Sequence, residues 1–222
     1  AQAGSVMQAN GNNGPGGLIA FSGDQITVAG NIAANGSTDG GSITLIANNG
    51  DLNLQASIIQ TNGSTGRGGS IGASANNHVT ISNSAIEATG YQQGGQIKIG
   101  NDASKGTLPF ALSASLDQYT SLNATQQDPS LSNQNGGFIE TSGQTLSMMA
   151  SINAGRGGMW LLDPTNVTIS SAVSTGGAAA TASNSATNLS SAQGQATTSN
   201  FSTTDIQNAI NAGTSVTIIA SG

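Results

Sequence analysis

Side chains able to do chemistry are sparse along these 222 residues. The carboxylates are Asp24, Asp39, Asp51, Asp102, Asp117, Asp128, Asp163, Asp205, Glu87 and Glu140, and the cations are Arg67, Lys98, Lys105 and Arg156. Glycoside hydrolysis needs two carboxyls held roughly 5–10 Å apart. A polysaccharide lyase needs clustered Asp with calcium and a basic proton acceptor. The spacing offers neither, because no repeat position collects three acids. Asp24 and Asp51 do fall at like positions, and both read as turn formers. His78 is the sole imidazole, which argues against a His-based metal site or triad. The absence of Cys removes disulfides, thiolate zinc sites and Cys nucleophiles together. No catalytic, cofactor-binding or metal-ligating set is assigned. The chain reads as a non-enzyme, with a polysaccharide-active lyase or hydrolase as the alternative.

The elements that carry these groups come from an unusual composition. Only 6% of residues are charged and 32 are Gly, where an ordinary domain has about a quarter charged. Ile, Val, Leu and Thr recur in short alternating runs, which disordered chains lack. With a net charge of −6 and four basic residues, the chain suits neither nucleic acid nor an anionic membrane surface. No run reaches the roughly 18 apolar residues of a membrane span. The sequence starts without Met and stops just after Ser215-Val216-Thr217-Ile218-Ile219, so both ends read as cut from something longer.

Self-similarity explains the composition. Gly-Gly pairs at 16–17, 40–41, 68–69, 94–95, 136–137 and 157–158 are spaced 24, 28, 26, 42 and 21 residues apart. Each opens an alternating strand, with Ile19/Phe21, Ile43/Leu45, Ile71/Ala73, Ile97/Ile99, Ile139/Thr141 and Trp160/Leu162 at the inward offsets. A second strand follows in most units, as in Ile26-Thr27-Val28 and Val79-Thr80-Ile81. A third begins at Ile32, Ile59 and Ile86, each 27 residues apart. Three strands in about 21–28 residues describe one coil of an all-β, right-handed parallel β-helix. Antiparallel hairpins would instead show turns every 8–12 residues or so. Gly-Gly is expected to supply φ > 0 at the first corner and Asn-Gly at the next. Trp160 is expected in the core, with Asp163 and Pro164 ending its strand. Lys98 and Glu140, each three residues past a Gly-Gly pair, should point outward as a surface ion pair worth at most about 1 kcal/mol.

Residues 1–222 thus read as a single segment with two interruptions. The excess at 101–135 is expected to project as a loop carrying Phe110 and Tyr119 as candidate contact residues. The Ala/Ser/Thr/Asn tract at 174–200 is expected to be a flexible excursion. Residues 203–213 carry helix signals: Thr203 or Thr204 as cap, Asp205 in the first turn and Gly213 as stop.

Gly136-Gly137-Phe138-Ile139-Glu140-Thr141-Ser142-Gly143, then Trp160-Leu161-Leu162-Asp163-Pro164 and Asn166-Val167-Thr168-Ile169, resembles a motif block of filamentous-haemagglutinin-type exoproteins. These are the secreted partners of two-partner secretion systems. The resemblance covers roughly residues 136–222, and the family's N-terminal secretion domain is not visible. It implies a β-helical shaft exported by a Gram-negative bacterium to the cell surface, serving adhesion, biofilm or cell–cell contact. An outer-membrane two-partner secretion transporter would act through regions outside this chain. No cofactor is implied. End-to-end self-association into an extracellular fibre is a further alternative.

Overall fold

A computed structural model describes residues 4–103, 106–128, 130–131, 135–171, 175–176 and 199–220. The chain visits three parallel sheets in fixed rotation. The first face holds Leu18–Gly23, Ser42–Ala47, Ser70–Ala75, Gln96–Ile99, Phe138–Gly143, Met159–Pro164 and Ser215–Ile218. The second holds Ile26–Val28, Leu52–Gln55, His78–Ser82, Ser113–Leu116 and Thr145–Met148. The third holds Ser5–Gln8, Gly30–Ala33, Ile58–Gln60, Ala85–Glu87, Ser121–Asn123 and Ser151–Asn153. One circuit of the faces is one coil, and the fold is a parallel β-helix.

Because strands stack in register about 4.8 Å apart, each inward offset becomes a column. Ile19, Ile43, Ile71, Ile97, Ile139, Trp160 and Val216 form one on the first face. Ile32, Ile59 and Ile86 form another on the third, continued by Leu122 and Ile152. All three Ile are buried. No coil could bury such a face alone.

The glycine corners work by a mechanism other than the expected one. The six Gly-Gly pairs have ordinary negative-φ backbone except at Gly157, and so do Gly36, Gly63 and Gly90. What excludes a side chain is proximity. A Cβ on Gly40 would lie 1.9 Å from the Thr61 carbonyl oxygen, and one on Gly68 would lie 2.1 Å from that of Ala88. The same carbonyls accept hydrogen bonds from the second Gly of the next pair, Gly69 N–H to Thr61 at 2.7 Å and Gly95 N–H to Ala88 at 2.7 Å. Left-handed backbone is instead used between the second and third faces, at Ala56 (φ 47°) and Asn83 (φ 46°).

The 101–135 excess is a correction to the loop reading. Ser113–Leu116 and Ser121–Asn123 are strands, paired on both sides within the second and third faces. The coil is complete, and the first stretch of extra chain, 101–112, lies between faces one and two. Of 174–200, only Thr175–Gly176 and Ser199–Asn200 lie within the described residues. Thr175–Gly176 pairs antiparallel with Ser199–Ser202, which pairs in parallel with Val167–Ser170. The helix α1 (Thr203–Asn211) starts one residue earlier than the proposed caps: Ser202 is the N-cap, its hydroxyl accepting from Thr204 N–H at 3.1 Å. It ends as expected near Gly213 (φ +86°). Helix α1 packs on Ser151–Asn153 and so stands where the next third-face strand would have been.

Two opposite substitutions test this reading of the corners. Gly68→Ala should destabilise by roughly 3 kcal/mol or prevent folding, since backbone rather than a flexible side chain must move. Ala56→Gly should stabilise by about 1 kcal/mol by relieving left-handed strain. Urea unfolding of both variants checks this, and a silent Gly68→Ala would discard the close-approach argument.

Candidate functional site

Most charged groups are absorbed by the stack itself. Asp51 Oδ1 accepts from the His78 main-chain N–H at 3.2 Å, and Asp117 accepts from Asn83 N–H at 3.1 Å. Asp39 accepts from Arg67 N–H at 2.7 Å and meets its guanidinium at 3.6 Å, which together hold its carboxyl below the ordinary range. Glu87 accepts from Gln60 at 2.7 Å and Asn62 at 3.2 Å. Asp24 and Asp51 are turn acceptors, but one register step apart, since Ile26 pairs with Leu52.

Asp51, His78 and Ser113 share one column on the second face, an order that invites comparison with a nucleophile triad. The His78 Nδ1 and Ser113 Oγ are 2.8 Å apart. A triad needs the carboxylate on the imidazole, whereas Asp51 holds the main chain. Ser113 is also buried, so this column ties coils together.

Trp160 is buried as expected, and its indole N–H donates to the inward Thr141 Oγ1 of the coil below at 3.0 Å. Pro164 is the last residue of its strand. Asp163 does not end the strand by bonding back to the chain: its Oδ1 is buried and has no hydrogen-bond partner among the described residues. Burial raises that carboxyl above its ordinary range. Phe110 and Tyr119 are both exposed, at 37% and 71%, but they lie at opposite ends of the strand Ser113–Leu116 and form no single patch.

The densest polar cluster sits on the outer side of the first face, where Lys98 and Glu140 are in register on adjacent strands. They point off the sheet as expected, yet they are not solvated. Lys98 is 7% exposed and Glu140 fully buried, because the chain after Gly100 folds back over them instead of projecting. Gly100 has φ +81°, and Ala111 N–H returns to its carbonyl at 2.9 Å. Leu108 is buried over Gly72, whose missing side chain leaves the space: a Cβ there would sit 3.3 Å from the Leu108 methyls. Ser74 Oγ donates to the Pro109 carbonyl at 2.6 Å.

Beneath this cover the groups interlock. Lys98 Nζ donates to Asp102 Oδ1 at 2.6 Å, and Thr107 Oγ1 donates to Asp102 Oδ2 at 2.6 Å. Glu140 Oε1 accepts from Ala103 N–H at 2.8 Å and from Ser142 Oγ at 2.9 Å. Its Oε2 is buried with no hydrogen-bond partner among the described residues. Loss of water raises the Glu140 carboxyl, an effect the two donated bonds and the Lys98 charge oppose and the Asp102 charge reinforces. Among the described residues, no group of three or more His, Cys, Asp or Glu could hold a metal. Among the described residues, no helix is long and apolar enough to cross a membrane.

No family model, no curated protein and no solved structure matches this chain.

The raised Glu140 carboxyl fixes the sign of a pH effect. The native state holds this proton more tightly than the unfolded chain, whose carboxyl titrates near 4.5. Its contribution to stability is full below that pH and falls away as pH rises toward the native value. Replacing Glu140 by Gln should therefore gain stability relative to the parent as pH rises through that window. Urea midpoints across pH 3–8 measure it, and parallel pH profiles for the two proteins would reject the raised Glu140 carboxyl.

Proposed function

We propose that this chain is a shaft segment of a large secreted bacterial surface adhesin, mediating attachment, biofilm or cell–cell contact. The observation that carries the reading is the unbroken run of inward columns from the first coil to the last. Such a stack makes a stiff spacer, and most of its described acids are spent on turns and coil-to-coil bonds rather than gathered in a cleft. Export would use an outer-membrane two-partner secretion transporter acting on regions beyond this segment. The contact residues on its flank would be Phe110 and Tyr119, since exposed aromatics suit binding surfaces.

Antibodies to the purified segment should label the outside of intact cells of the producing organism. Phe110→Ala with Tyr119→Ala should weaken attachment several-fold without lowering the melting temperature. Absence of surface label would sink the adhesin reading, and unchanged attachment would remove the two aromatics from it.

A further inference from the structure

The Lys98, Asp102 and Glu140 constellation has more than a packing role. We propose that Lys98 and Asp102 condense into an intramolecular isopeptide bond, with Glu140 carrying the protons. This stands independently of the shaft reading, because it depends only on groups already in place beneath the 101–112 cover.

The reactants are in contact, with Lys98 Nζ 2.6 Å from Asp102 Oδ1, and both residues are at least nine-tenths buried. Two opposite charges shut away from water are costly as ions, and an amide bond between them would remove both charges. Thr107 Oγ1 donates to Asp102 Oδ2 at 2.6 Å, which draws electron density from the carboxyl carbon and makes it the better electrophile. Glu140 lies beside Lys98 in register on the adjacent strand. Ala103 N–H and Ser142 Oγ pin its Oε1, while Oε2 is buried and unpartnered among the described residues. Burial raises this carboxyl above its ordinary range, so it holds a proton more firmly than a solvated acid would.

The steps balance without any other reactant. One proton passes from the Lys98 ammonium to the Asp102 carboxylate. The amine nitrogen then attacks Cγ, and a C–N bond forms. Glu140 protonates the departing oxygen, the C–O bond breaks, and water leaves past the exposed Ala103 and Gly106. Glu140 recovers its proton from the former amine. The net change is ammonium plus carboxylate to amide plus water. The product ties the strand Gln96–Ile99 to the root of the cover and replaces two buried ions with a neutral amide.

Intact mass spectrometry of the folded, full-length chain is the test. The parent should be lighter than its sequence mass by one water, with Lys98 and Asp102 joined in tandem spectra and no tryptic cleavage after Lys98. Lys98→Arg and Asp102→Ala should keep full mass. Glu140→Gln should condense at least tenfold more slowly while its circular dichroism matches the parent, a split that a merely structural Glu140 would not give. A parent at full sequence mass after prolonged incubation overturns the proposal even if every variant misfolds. Loss of water that persists in Lys98→Arg overturns it too, because an aspartate cyclising on its own backbone would then be the source. Equal rates in the parent and Glu140→Gln overturn the proton-carrying role.

Discussion

Hydrogen bonding between coils sets the separation at which everything else must fit, and at the corner before the first face that separation leaves no room for a β-carbon. There the carbonyls of Ala34, Thr61, Ala88, Ala124 and Ala154 press against the first glycine of a neighbouring pair, from 1.9 to 2.4 Å from where a Cβ would stand. Those carbonyls would be orphaned if the corner opened, and a buried unpaired carbonyl is expensive. The glycines are thus a consequence of backbone pairing rather than of special dihedral angles. Once the corner is fixed, register is fixed, and each inward residue must pack on its own kind above and below.

The same rule governs polar groups. A column of like charges at the strand spacing would repel along its whole length, and the sequence avoids one everywhere it is described. Glu87 stands between Gln60 and Asn123, and Asp51 stands under His78. Lys98 and Glu140 are a complementary step in an otherwise neutral column that runs through Thr44, Gly72 and Leu161. Trp160 obeys the same logic from the inside: a larger residue in an Ile column is admitted because Thr141, one coil below, satisfies its N–H.

Periodicity made the columns legible. Ile32, Ile59 and Ile86 at a constant 27-residue interval could be nothing other than stacked positions, and the Gly-Gly offsets placed Trp160 inside. Three features escaped for separate physical reasons. The glycine corners were assigned to φ > 0 because composition cannot distinguish a dihedral requirement from a close approach. The strands Ser113–Leu116 and Ser121–Asn123 were hidden because Ala114 takes a position filled by Leu52, Val79 and Leu146 in other coils. Burial of Lys98 and Glu140 was missed because it comes from a segment folding back across the sheet. Its one local trace, Gly72 opposite Leu108, makes sense only once the two are known to touch.

That last failure has a structural logic. Extra residues between two faces of a continuous stack cannot enter the core, whose columns at Ile97, Ile99 and Ile139 remain fully buried. Nor can they lie between coils, where the strand Gln96–Ile99 is already paired on both sides. They can only lie against the outer surface, which turns a solvated face into an enclosed one without altering the register beneath it. Side chains that would be ordinary surface charges on any other coil are thereby desolvated in a fixed geometry set by two adjacent strands. A solenoid can acquire a reactive environment in this way at almost no expense to its core, and the 101–112 segment is where this chain has done so.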